Sequence, residues 1–243
     1  MSDPVTRIAM WSGPRNLSSA MMRSWGQRPD TVVLDEPLYA TYLAETGLDH
    51  PGAAQIIAAG PAGWDEAVAR CLAPLSDGHT VSYQKQMAHH LLPGHDTSWL
   101  DGIRHGLLLR DPRRVLASYT EVRAEVTLAD IGLAQQRELL PRCAVVVDAA
   151  DFLSAPAAYL RAVCDAFEVP YDPRMLSWPA GRRPTDGVWA DHWYASVDAS
   201  TGFGPPPQDT PAELPPHLRP LAAEATAIYE ELRGHALAPN ELW

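Results

Sequence analysis

Lysine is all but absent from this 243-residue chain: of its 19 basic residues, 18 are arginine and one, Lys85, is lysine. Lysine is ordinarily among the commonest residues. Arginine does not replace it where a compact ammonium is required, so a single surviving lysine marks a position where chemistry can outweigh composition. Cysteine is scarce as well. Cys71, Cys143 and Cys164 are odd in number and match no zinc or redox spacing, so they read as buried thiols of a cytoplasmic protein. No apolar run reaches the roughly 18 residues of a membrane-spanning helix. Met1 to Trp11 lacks a small-residue cleavage site and reads as a first strand, not a signal peptide. An excess of positive charge is also missing. A net charge of −11 disfavours nucleic acid and anionic membranes as partners. A small anionic ligand in a locally basic pocket stays open.

What is present is globular in composition, with 46% hydrophobic and 20% charged residues. One α/β domain over residues 1–243 is expected, with a Pro-rich surface loop at about 204–220. Short apolar runs at Thr6–Trp11, Thr31–Leu34, Thr80–Gln84, Gly106–Leu109 and Ala144–Val147 read as strands. Helical stretches fall near Leu17–Gln27, Tyr39–Thr46, Trp64–Leu75, Pro112 to about Arg123, Pro156–Phe167 and Glu213–Leu232. Alternation of this kind predicts a parallel sheet flanked by helices, with ligands at the carboxyl ends of the strands.

Two strand ends carry candidate anion sites. The first reads Trp11-Ser12-Gly13-Pro14-Arg15-Asn16-Leu17-Ser18-Ser19 and leads into a helix. A tight turn before a helix offers free N–H groups and the positive end of the helix dipole to a phosphate. An ordinary helix cap by Asn16 is the bland alternative. The stretch lacks the second glycine and the lysine of a Walker A loop, which disfavours a nucleoside triphosphate enzyme. In the second, an apolar strand ends in Arg110, Pro112 suits a first helical turn, and Ser118 follows Arg110 by eight residues.

Together these motifs resemble the PAPS-dependent sulfotransferase family, in its small bacterial members. The resemblance implies a P-loop-type α/β fold. Ser12, Gly13, Pro14, Arg15, Asn16, Leu17, Ser18 and Ser19 would hold the 5′-phosphosulfate, and Arg110 with Ser118 the 3′-phosphate. Arg15 stands where the family usually has lysine. Gly181-Arg182-Arg183 loosely resembles the late segment that closes over the nucleotide, which would place Arg182 or Arg183 on the 3′-phosphate. The implied reaction moves a sulfuryl group from PAPS to a hydroxyl or amine of a small-molecule acceptor and releases adenosine 3′,5′-bisphosphate. It needs a base. Glu36, after the second strand, is one candidate; His89 and His90 are the others, in a stretch resembling the family's Lys-Thr-His-Leu-Pro segment with altered spacing. Lys85 would assist the leaving group. His89, His90 and His95 with Asp96 form a poor zinc set, so no metal is expected. Two rival readings remain: a kinase-like P-loop phosphotransferase, and a nucleotide-binding protein of the same fold without turnover.

Overall fold

The computed structural model describes residues 5–76, 78–119, 126–207 and 213–239. Five parallel strands form its sheet: β1 (Thr6–Ser12), β2 (Thr31–Asp35), β3 (Val81–Met87), β4 (Arg104–Leu109) and β5 (Cys143–Asp148), in the spatial order β2-β3-β1-β4-β5. Side chains alternate across a strand, and both faces of this sheet are buried. Ala9, Trp11, Leu107 and Leu109 join one apolar cluster, and Ile8, Met10 and Leu108 the other. Strands buried on both sides are what the continuous apolar runs imply.

The helices are α1 (Ser18–Trp25), α2 (Tyr39–Thr46), α3 (Ala53–Ala59), α4 (Trp64–Leu72), α5 (Pro112–Tyr119), α6 (Leu128–Ile131), α7 (Leu133–Leu139), α8 (Ala149–Ser154), α9 (Pro156–Ala166), α10 (Ala190–Trp193), α11 (Ala195–Ala199) and α12 (Arg219–Arg233). Met21, Met22 and Trp25 of α1 pack on one face with α9. Val115 and Leu116 of α5 and the apolar stripe of α12 cover the other.

Several boundaries differ from the sequence expectation for identifiable reasons. Helix α12 starts at Arg219 rather than Glu213, because Pro215 and Pro216 cannot continue a helix while Pro220 is tolerated in a first turn. Helix α4 stops at Leu72, two residues before Pro74. The expected continuation of α5 to about Arg123, and residues 208–212 of the Pro-rich loop, lie outside the described residues. Strand β3 runs on to Met87 although Gln84, Lys85 and Gln86 are polar. Their side chains are buried with partners: Gln84 Nε2 donates to the Cys71 carbonyl at 2.7 Å, and Gln86 Nε2 to Gln84 Oε1 at 3.1 Å. Helix α8, unread in the sequence, is capped by Asp148, whose Oδ1 accepts from the Ala150 and Asp151 N–H groups. Asp148 also accepts the Tyr229 hydroxyl at 2.7 Å and Asp151 pairs with Arg233, so both carboxylates fasten α12.

No described helix is long and apolar enough to cross a membrane.

Candidate functional site

A cavity of about 440 Å³ opens at the carboxyl ends of the strands. Its first wall is the loop after β1 together with the first turn of α1: Pro14, Arg15, Asn16, Leu17, Ser18 and Ser19 all line it. Ser12 and Gly13 do not. Ser12 is buried behind the loop with its hydroxyl on Met87 Sδ at 3.7 Å. Gly13 passes so close to α6 that a Cβ there would lie 2.4 Å from the Ile131 carbonyl oxygen. Gly13→Ala is therefore expected to cost about 1–3 kcal/mol through overpacking, read from the urea midpoint. An unchanged midpoint would show that the loop can shift.

Asn16 is not the helix cap. The cap position is Leu17, and no side chain caps α1. Asn16 Nδ2 donates to the Leu108 carbonyl at 2.8 Å, and its Oδ1 accepts from the Leu17 N–H at 2.7 Å, which fastens the loop to β4. The first turn of α1 thus faces the cavity without a side-chain partner.

Arg15 and Arg110 meet at this mouth. Arg15 has a left-handed backbone, φ 53°, a conformation that costs a non-glycine residue of order 1–3 kcal/mol and recurs at functional sites. Its Nε donates to Ser118 Oγ at 2.9 Å, and Arg110 donates to the Arg15 carbonyl. The eight-residue interval from Arg110 to Ser118 therefore brings both onto the first loop. Burial, then the neighbouring charges of Arg15 and Arg114, lower the Arg110 pKa. Neither Arg15 nor Arg110 forms an ion pair with a described carboxylate. By contrast, Arg104, Arg142, Arg174, Arg182 and Arg233 each do. Arg182 donates to Asp198 and Asp191, and Arg183 to the carbonyls of Pro179 and Gly181. Neither lines the cavity, contrary to their expected place on a phosphate, because these local acceptors engage them first.

The opposite wall holds the buried charges. Lys85 lies within β3, in register with Asp35 of β2 and Met10 of β1, two residues before the strand ends. Its ammonium donates to Asp35 Oδ1 at 3.2 Å, to the Tyr194 hydroxyl at 2.9 Å and to Glu36 Oε1. Glu36 continues the ladder, its N–H donating to the Lys85 carbonyl at 2.9 Å, but its φ is 41°. Successive side chains of a regular strand diverge. The left-handed turn at Glu36 breaks that alternation and lets Asp35 and Glu36 reach the same ammonium. Burial raises the Glu36 pKa; Lys85 opposes that rise and Asp35 adds to it. Burial alone would lower the Lys85 pKa, but Asp35 and Glu36 outweigh it and hold the amine charged.

His89 and His90 form a short turn directly after β3, and both line the cavity. The His90 ring is sandwiched between Tyr39 and Tyr42, with centroids 4.7 and 4.6 Å away. Its buried Nδ1 has no hydrogen-bond partner among the described residues. Burial, then His89, Lys85 and His50, hold its pKa well below the usual imidazole value. The unfolded chain takes up a proton here below about pH 6.5 and the folded chain does not, so stability must fall as pH drops below that value, by at most about 1.4 kcal/mol per pH unit. His90→Gln is expected to flatten this slope between urea midpoints at pH 7.5 and 5.5; an equal drop in both proteins would contradict it. His95 lies elsewhere, stacked on Trp64 and bonded to Glu45 at 2.6 Å. No group of three or more metal-ligating side chains comes together among the described residues.

Sequence reasoning missed Tyr39, His50 and Tyr194, all of which line the cavity; Trp193, which the sequence offers as an acceptor-pocket residue but more readily as a core aromatic, lines it too. Tyr39 stands three residues after Glu36, as the first residue of α2, a spacing that offered a signal. His50 donates or accepts a 2.8 Å bond with the Tyr39 hydroxyl. Trp193 and Tyr194 belong to a segment held over the cavity by Arg23, which is buried and bonded to Asp186 and Asp198.

The chain is 33% identical over its whole length to branched-chain-amino-acid aminotransferase-like protein 1 of Arabidopsis thaliana, and 31% identical over 94% of its length to protein 2 of the same name. It spans only 44% and 41% of those two proteins. Among solved structures, the sulfotransferase domain from the curacin biosynthetic pathway superposes with a TM-score of 0.54 at 17% identity, covering 96% of this chain and 99% of that one. A sulfotransferase from Alicyclobacillus acidocaldarius gives 0.54 at 15% identity, covering 98% of each. These two likenesses show a shared fold. Residues 6–235 match the family described as sulfotransferase domain. The chain belongs to the sulfotransferase domain family.

Proposed function

We propose that this chain transfers a sulfuryl group from PAPS to a hydroxyl or amine of a small-molecule acceptor and releases adenosine 3′,5′-bisphosphate. One observation carries the reading. Two arginines without ion-pair partners among the described residues, Arg15 and Arg110, meet at the uncapped start of α1, and the cavity they face also holds the buried Lys85–Glu36 pair. The arginine pair is suited to an anion with two phosphate ends. The Lys85–Glu36 pair is suited to proton removal.

In the proposed reaction the acceptor oxygen or nitrogen attacks sulfur in line. The bond from sulfur to the bridging oxygen breaks, and the electron pair leaves with the bisphosphate. The acceptor proton passes to Glu36, whose raised pKa makes it a stronger base than an exposed carboxylate. Arg15 and the first turn of α1 take the developing charge on the 5′ side, and Arg110 and Ser118 grip the 3′-phosphate. Lys85 serves the base rather than the leaving group, since Asp35, Glu36 and Tyr194 occupy all three of its donors. The name of the plant relatives raises aminotransferase chemistry, which uses a lysine Schiff base. The sole lysine here is buried, charged and shared among those three groups, so that chemistry is not proposed for this chain.

Incubation with PAPS and a mixed acceptor panel, followed by mass spectrometry, is expected to yield sulfated products and bisphosphate. Thermal stabilisation by ATP–Mg but not by adenosine 3′,5′-bisphosphate would favour the phosphotransferase instead. Bisphosphate binding with no PAPS consumed over the whole panel would favour an inactive binder.

A further inference from the structure

Building on the reading of Glu36 as base, we propose that Tyr194 is a positioning residue that, by donating to Asp35 and accepting from Lys85, sets how the Lys85 ammonium is shared between Asp35 and the Glu36 carboxylate. An ammonium has three donors, and each has one acceptor here: Asp35 Oδ1, Glu36 Oε1 and the Tyr194 oxygen. Tyr194 in turn donates its own proton to Asp35 Oδ1 at 2.6 Å, and the Gly187 N–H donates to Asp35 Oδ2 at 3.0 Å. Asp35 is thus oriented by two groups from one segment, residues 187–194, that reaches it across 150 or more positions of sequence. The side chains of Lys85 and Asp35 are only 2% and 1% exposed. A donor left without an acceptor at such depth is costly, so the four groups form a closed set rather than a loose surface network.

The arrangement divides one cation between two carboxylates. Around Glu36 the neighbouring carboxyl and ammonium groups are Asp35 at the end of β2 and Lys85 on β3. Tyr39 of α2 and Tyr194 of the C-terminal segment are phenols kept neutral, and His90 is kept uncharged. Arg15 and Arg110 are the further cations lining the cavity. Loss of the Tyr194 hydroxyl takes one donor from Asp35 and one acceptor from Lys85. The ammonium then has reason to move towards Asp35, and Glu36 keeps a proton to higher pH. Loss of the Asp35 charge acts oppositely, because it removes repulsion from Glu36.

The single lysine makes this readable without any substrate. The full-length chain grown with ε-carbon-13 lysine gives one lysine ¹³Cε signal, that of Lys85. Beside the steps of Lys85 itself and of its other carboxylate neighbour, its pH titration is expected to show an inflection from Glu36, which Glu36→Gln abolishes. Tyr194→Phe is expected to raise that inflection by about half a pH unit or more, and Asp35→Asn to lower it. If Tyr194→Phe fails to fold, the Asp35→Asn titration decides alone. A Glu36 inflection unmoved in the variant titrated overturns the proposal, as does a wild-type signal with no inflection that Glu36→Gln removes. Neither donor nor acceptor enters the experiment, so its failure is separable from failure of the sulfotransferase reading. A chain that titrates as described and never consumes PAPS sinks only the latter.

Discussion

Glu36→Gln is expected to lower turnover of the acceptor found by screening by about 10²–10⁴-fold, the range for loss of a general base. The amide keeps the shape and can still accept from Lys85, so the fold and the donor pocket should persist. Affinity for adenosine 3′,5′-bisphosphate in calorimetry is expected to stay within a factor of about two, because Glu36 lies on the wall opposite Arg15 and Arg110. Burial and Asp35 raise the Glu36 pKa despite Lys85. Activity of the wild type must therefore fall as pH drops through a value above the ordinary carboxylate range, since only the ionised form takes a proton. The glutamine variant should lack that acid limb. If His90→Gln or His89→Gln produced the full loss and Glu36→Gln did not, the base would be a histidine. The low His90 pKa argues against that outcome, because an imidazole so hard to protonate is a weak base.

Arg110→Ala is expected to weaken bisphosphate binding by about 1.5–3 kcal/mol, the net worth of a hydrogen bond to a charged group. That is roughly a tenfold to hundredfold change in Kd. Arg110 is half-buried and points back onto the first loop, where it donates to the Arg15 carbonyl. Truncation removes a charge from the mouth while Arg15 keeps its own bond to Ser118 Oγ, so the loss should fall on the 3′-phosphate. Lysine at this position would restore charge without the planar fork and is expected to recover only part of the affinity.

The parts of the site legible in sequence were those written locally. The turn from β1 into α1, and the interval from Arg110 to Ser118, are each contained within a few residues; the turn and Arg110 line the cavity, and Ser118 stands behind them on Arg15. Lys85 was legible by its rarity. Tyr194 was not, because its role exists only through contacts 109 and 159 positions away, to Lys85 and Asp35. Asp35 reads as a strand-end carboxylate until Gly187 and Tyr194 are folded onto it. The sequence reading ends β3 at Gln84, where its apolar run stops, whereas the strand runs on to Met87 with Gln84, Lys85 and Gln86 buried among side-chain partners. Arg182 and Arg183 were drawn in by motif likeness. A guanidinium goes to the nearest good acceptors, and theirs are Asp191, Asp198 and local carbonyls. The sheet itself was easily read, since strands buried on both faces have few polar interruptions.

The central claim is that two strand ends grip the two phosphate ends of one nucleotide. Paired titrations of wild type and Arg110→Ala with adenosine 3′,5′-bisphosphate and with adenosine 5′-monophosphate test it most directly. The account predicts a tenfold or greater loss for the bisphosphate and little change for the monophosphate, which lacks the 3′-phosphate. Equal losses for both ligands, or a wild type that binds the two alike, would contradict it.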